Sequence, residues 1–222
     1  MSHHPSAIAI YDAVPRSVLA AAREFIESLG PESFDVYSHP FEPKIQVKKQ
    51  LYNNLALWRV VLAINERFGH LFAQMFGDLP ALQPSSNYFR AFYIYRTGDY
   101  LQNHIDAAFH DNERKVVTAN LYLTDCEGGE LFVGDQAIPP AAGCLVVFAN
   151  RDNAYHRVSP VRSGRRIMLT TGFCMPADMF PRPDFTWNNK KAWFAPAPGE
   201  EWTEEQFKMR NERADPNWRP VK

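Results

Sequence analysis

Between Tyr88 and Phe173 the sequence breaks into short runs rich in β-branched and aromatic residues, each cut from the next by a turn signal, and this rhythm constrains the fold most. The runs are Tyr88 to Tyr95, Val116 to Thr124, Glu130 to Val133, Gly143 to Ala149 and Arg166 to Phe173. The breaks hold Thr97-Gly98-Asp99, Gly128-Gly129, Pro139-Pro140 and Ser163-Gly164. Strands this short and closely spaced predict a mainly β chain with a closed or sandwich-like architecture, flanked by helices.

Those helices come from the N-terminal part. Ala7 to Tyr11 reads as a strand, and from Pro15 the apolar residues Val18, Ala22, Phe25, Ile26 and Leu29 recur at helical spacing until Gly30-Pro31 ends the run. A second stripe, Leu55, Trp58, Leu62, Phe68, Phe72 and Met75, closes at Gly77, with Glu66 and Arg67 on its solvated side. Both read as scaffold packing. After Cys174 the chain turns Pro-rich, Thr203-x-x-Gln206 forms a capping box, and Trp187, Trp193, Trp202 and Trp218 stud a tail that could cover a site. With no repeat or linker, residues 1–222 read as one domain: support over 1–86, β core over 87–175, and a Pro/Trp-rich extension over 176–222.

Composition narrows the partners. A net charge of −1 gives no reason to expect nucleic acid or an anionic membrane, and no stretch approaches the roughly 18 apolar residues that cross a bilayer. Cys126, Cys144 and Cys174 show no C-x-x-C spacing, which argues against a zinc ribbon or a disulfide scaffold. Together with an N-terminus lacking the basic-then-apolar order of a secretory signal, this points to the cytoplasm.

The chemistry lies in His104-Ile105-Asp106. In an extended segment both polar side chains share one face, supplying an imidazole and a carboxylate. Alone, H-x-D is weak. His156 follows the strand Gly143 to Ala149 and a polar turn, and Arg165 lies nine residues further on. Two histidines and a carboxylate leave three positions on an octahedral iron, of which a 2-oxo acid can chelate two and dioxygen take the third. The far carboxylate of that acid needs a fixed cation, and the planar fork of arginine suits it. Arg166 is the rival to Arg165. Alternation lets only one of them face inward, and the offset from His156 favours Arg165. His110, in a polar loop spanning 109–114, is a decoy for the metal, and His39 and His70 lack ligand-like company.

This constellation resembles the prolyl-4-hydroxylase-like branch of the Fe(II)/2-oxoglutarate-dependent oxygenase superfamily. The resemblance spans about Tyr88 to Phe173 and includes the Tyr95-to-Asp106 segment, the Gly128-Gly129-Glu130-Leu131 turn and the H-x-V-x-P segment from His156 to Pro160. It implies a double-stranded β-helix (jelly-roll, cupin-like) core. It also implies Fe(II) on His104, Asp106 and His156, and 2-oxoglutarate on Arg165 with help from Tyr122, while Tyr95 contacts the metal-proximal end. O2 would be the second cosubstrate, and ascorbate could stimulate. Related halogenases carry a small residue where Asp106 stands, so the resemblance implies hydroxylation rather than chlorination.

The implied substrate is a small molecule or peptide: a free amino acid, peptidyl proline or another metabolite. Arg90, Arg114, Asn120 and Arg151 are candidates to bind it. Two alternatives stay open, a cupin-like metal enzyme that uses no oxo acid and a degenerate barrel acting as a sensor or binding module.

Overall fold

The structure is a computed structural model that describes residues 7–39, 42–49, 59–64, 66–68, 83–84, 91–104, 106, 109–110, 113–150, 155–176 and 201. Strand β1 (Ala7–Ile10) leads into helix α1 (Arg16–Ser28) and a single 3-10 turn at Pro31–Ser33. Then come β2 (Asp35–His39), β3 (Glu42–Lys49), β4 (Gln83–Pro84), β5 (Ala91–Tyr95), β6 (Leu101–His104), β7 (Phe109–His110) and β8 (Glu113–Tyr122). The core is completed by β9 (Cys126–Gly128), β10 (Leu131–Val133), β11 (Gln136–Ile138), β12 (Leu145–Ala149), β13 (His156–Val158), β14 (Val161–Gly164) and β15 (Arg166–Pro176).

The strands make a major sheet in the order β1-β12-β8-β15-β5-β3-β2, with β4 pairing β15 and β7 pairing β8. A minor sheet runs β11-β10-β13-β6, and β14 with β9 forms a separate ribbon. Period-two alternation gives the major sheet two unlike faces. On β8, Val117, Ala119 and Leu121 join Leu123 in a core against α1 and the helical residues 59–64 and 66–68. Ile167 and Leu169 of β15 face the same way. The other parity of these strands, Tyr122 and Met168, meets Leu131, Val133 and Val158 of the minor sheet in a second core. The barrel interior is therefore apolar between the sheets, with the polar residues Thr118, Asn120, Arg166 and Thr170 buried on the same parity.

α1 begins after Pro15, whose fixed φ suits a helix start, and ends where Leu29 turns extended ahead of Gly30 and Pro31. The five expected strand regions are all present, with shifted ends. Further strands were not expected, among them β2, β3, β7, β9, β11 and β14. The N-terminal part does more than support the core, because β2 and β3 extend the major sheet through β5. In the second helical stretch Val60, Val61, Ile64 and Phe68 are buried, whereas Leu62 is 48% exposed, so the expected stripe was misplaced there. His110 lies on β7 rather than in a loop. The capping box, the four tail tryptophans and His70 lie outside the described residues. No helix among the described residues is long and apolar enough to cross a membrane.

Candidate metal and cosubstrate site

The minor sheet brings the histidines together. His104 ends β6, His156 opens β13, and the two are direct antiparallel partners. Their rings lie 4.2 Å apart between centroids. Asp106, just past the end of β6, points Oδ1 at both imidazoles, 3.4 Å from His104 Nε2 and 3.6 Å from His156 Nε2. One ligand atom from each of the three lies within 4.8 Å of the others. Two ligands at right angles, each about 2.1 Å from one ion, stand about 3.0 Å apart, so these spacings are slightly wider than a bound ion would impose.

Local contacts select the atoms. Gln102 O lies 2.8 Å from His104 Nδ1, a carbonyl that accepts a hydrogen bond from an Nδ1–H and so favours the tautomer whose Nε2 lone pair is open to a metal. The Phe148 ring, 4.6 Å from that of His156, reaches across from the major sheet and keeps that side of the site apolar. Burial pushes the Asp106 carboxyl upward, but Lys115, then His156, and hydrogen bonds from both histidines hold it well below the usual carboxylate range. Asp106 is an anion whenever the protein is folded near neutrality.

Facing the triad across the barrel, the major sheet supplies the cation, and here the structure corrects the sequence expectation. Arg165 is 55% exposed on its side chain and lies 3.7 Å from Glu27 on α1, outside the barrel. Arg166 is fully buried. The register explains the exchange. Gly164 adopts φ +82 at the end of β14, and β15 starts at Arg166, on the parity opposite Ile167 and Leu169. Arg166 Nη2 donates to Tyr122 Oη at 3.0 Å, and its guanidinium carbon lies 4.7 Å from the Tyr95 ring centre and 4.9 Å from that of Tyr122. Tyr95 and Arg166 are also cross-strand partners, which groups Tyr95 with the cation. Burial raises the Tyr122 phenol above its ordinary value, against the pull of Arg166, and keeps it protonated.

Among the described residues, Arg166 Nε and Nη1 have no hydrogen-bond acceptor. A buried guanidinium without a carboxylate costs several kcal/mol, a cost that an anionic ligand would offset. The Gly128-Gly129 turn makes room for this side chain. Gly129 has φ +66, and a Cβ there would come 3.0 Å from Arg166 Cδ and 3.1 Å from Val161 Cγ2. Of the substrate candidates, Asn120 is buried and accepts from Thr170 Oγ1 at 2.9 Å. The side chains of Arg90, Arg114 and Arg151, like that of His110, lie outside the described residues.

Residues 91–173 match the family model described as the 2OG-Fe(II) oxygenase superfamily. The matched region belongs to that superfamily. Its range holds the whole triad, both tyrosines and Arg166. Solved structures agree on the fold. The chain is similar to a Pseudomonas putida prolyl-4-hydroxylase, with TM-score 0.59 and 23% identity over 76% of this chain and 91% of the other. It is also similar to a 2OG-Fe(II) oxygenase family oxidoreductase from Burkholderia pseudomallei, with TM-score 0.60 and 19% identity over 76% and 84% of the two chains. A third, HygX from Streptomyces hygroscopicus, was solved with nickel, 2-oxoglutarate and hygromycin B bound, and gives TM-score 0.54 and 13% identity over 77% and 83%. No curated protein matches the chain in sequence. The double-stranded β-helix architecture is thus established. The two-histidine, one-carboxylate donor set and a buried guanidinium whose Nε and Nη1 have no acceptor among the described residues fit iron and 2-oxoglutarate, the pair for which the superfamily is named.

Proposed function

We propose that this oxygenase hydroxylates a C–H bond of an amino acid, peptidyl proline or another small metabolite. One oxygen atom of O2 would enter the alcohol and the other would enter succinate as 2-oxoglutarate loses carbon dioxide. The observation that carries the reading is the buried, acceptor-poor Arg166 on the sheet opposite the His104, Asp106 and His156 cluster. Iron with 2-oxoglutarate supplies an oxidant strong enough for an unactivated C–H bond.

The chain's own residues set the geometry. His104 and His156 present Nε2, and Asp106 presents Oδ1. Arg166 pairs through its fork with the far carboxylate of the oxo acid, and the Tyr122 hydroxyl can donate to the same group. Phe148 and the apolar interior between the sheets exclude water from one flank. Three free thiols, Cys126, Cys144 and Cys174, suit a reducing compartment such as the cytoplasm.

The test is succinate formation from 2-oxoglutarate with Fe(II) and ascorbate, followed by a screen of amino acids, prolyl peptides and metabolites. A substrate should stimulate turnover and gain one oxygen atom in mass. Intact metal binding with no decarboxylation, coupled or uncoupled, would point instead to a cupin-like enzyme without an oxo acid. Failure to bind any divalent metal would leave a non-catalytic barrel.

A further inference from the structure

Asp106 has two oxygens, and the structure treats them differently. Oδ1 faces the two imidazoles. Oδ2 lies 3.0 Å from Lys115 Nζ and accepts a 2.8 Å hydrogen bond from Thr118 Oγ1. Lys115 is a buried lysine, with its side chain only 7% exposed. Burying an ammonium is costly enough that it needs a structural explanation.

The fold is built to put it there. Phe173 pairs with Val117 while Cys174 pairs with Lys115, so β8 spends an extra residue, Val116, against β15. Val116 and Val117 therefore both join the outer core, and Lys115 is turned onto the interior parity with Thr118. The lysine stem then passes over Gly172. A Cβ at that position would come 2.7 Å from Lys115 Cδ and 2.5 Å from Val117 O. Asn150 Nδ2 donates to Lys115 O at 3.3 Å and fixes the backbone. Thr118 Oγ1 also lies 3.1 Å from Asn150 Oδ1, and its single proton cannot serve both acceptors. Among the described residues, Lys115 Nζ serves Asp106 alone.

We infer that Lys115 is a positioning residue that keeps Asp106 a one-oxygen ligand, by holding Oδ2 away from the metal and reserving the remaining coordination positions for the oxo acid and oxygen. This rests on the reading of Asp106 as a metal ligand. It gives a sign that a merely structural lysine would not. Without the ammonium, Oδ2 is released toward the ion and a positive charge beside a dication is removed, so a bare metal should bind more tightly. The same change leaves only two of the three open positions and takes a cation away from the neighbourhood of the dianionic oxo acid, so 2-oxoglutarate should bind more weakly.

Calorimetric titration with Co(II), then with 2-oxoglutarate, tests this without turnover, using wild type, Lys115→Met and Lys115→Arg after circular dichroism has confirmed the fold of each. Lys115→Met should bind Co(II) about tenfold more tightly, since even a well-screened ammonium next to a dication is worth about that much. It should bind 2-oxoglutarate at least about tenfold more weakly, with a changed Co(II) d–d absorption. Lys115→Arg should restore both toward wild type. Unchanged or weaker Co(II) binding in Lys115→Met, or unaltered 2-oxoglutarate binding, overturns the inference, as does loss of the fold in Lys115→Met combined with wild-type values in Thr118→Val. Absence of Co(II) binding by the wild type would instead overturn the metal site itself.

Discussion

Replacing Arg166 with methionine should separate ligand binding from stability. In the protein without ligand, Arg166 is fully buried and offers two N–H positions with no acceptor among the described residues. Each hydrogen bond from such a charged group to a carboxylate contributes about 1.5–3 kcal/mol, so two are worth about 3–6 kcal/mol. At about 1.4 kcal/mol per factor of ten, Arg166→Met should weaken 2-oxoglutarate binding by about 10² to 10⁴. The same substitution removes a buried charge lacking a counter-ion, a change that is neutral or stabilising by about 1–4 kcal/mol in comparable sites. The lost stacking on Tyr95 and Tyr122 offsets about 0.5–2 kcal/mol of that. The ligand-free variant should therefore melt at the wild-type temperature or a few degrees higher. Arg165→Ala loses only an exposed pair with Glu27, worth less than about 1 kcal/mol, and should bind as wild type does. The assay is differential scanning calorimetry with Mn(II), with and without 2-oxoglutarate. Ligand at a hundred times Kd should stabilise wild type and Arg165→Ala by about 2.7 kcal/mol and leave Arg166→Met unmoved. Wild-type stabilisation of Arg166→Met, or its loss in Arg165→Ala, would refute the assignment.

Gly129→Ala places a Cβ at φ +66, 3.0 Å from Arg166 Cδ; it should cost about 1–2 kcal/mol from the backbone alone and raise the KM for 2-oxoglutarate in a steady-state assay. Asp106 has its carboxyl lowered in the folded state, so its contribution is complete above the unfolded value of about 3.9 and fades as pH falls through the lower folded value. Urea midpoints should therefore fall less steeply below about pH 4 in Asp106→Asn than in wild type. Burial pushes the Cys144 thiol up to about 11, so its contribution is intact below the unfolded value of about 8.5 and is lost as pH rises toward the folded one. Midpoints between those limits should drop in wild type and stay flatter in Cys144→Ala.

The clustering of His104, Asp106 and His156 was legible because its spacing needs little knowledge of register. His104 and Asp106 share a face by alternation, and any closed sheet pairing β6 with β13 brings His156 to them. The cation was misplaced because counting from His156 passes through β14 and the left-handed Gly164, where the count carries no parity. The parity was available within β15 itself. Ile167 and Leu169 match the outward residues of β8, which puts Arg166, Met168 and Thr170 on the inner face. β2 and β3 were missed although Ile45 and Val47 alternate with polar residues, because the surrounding Lys and Glu residues dilute the apolar signal. Lys115 could not have been found from sequence. Its inward turn depends on one extra residue, Val116, and nothing in Lys115-Val116-Val117 marks a bulge.

Diffraction from crystals grown without oxygen in Fe(II) and 2-oxoglutarate would decide the matter most directly, through the iron anomalous signal. One peak should lie between Nε2 of His104, Oδ1 of Asp106 and Nε2 of His156, with the oxo acid's distal carboxylate on Nε and Nη1 of Arg166. An iron peak elsewhere, or a carboxylate remote from Arg166, would contradict the account.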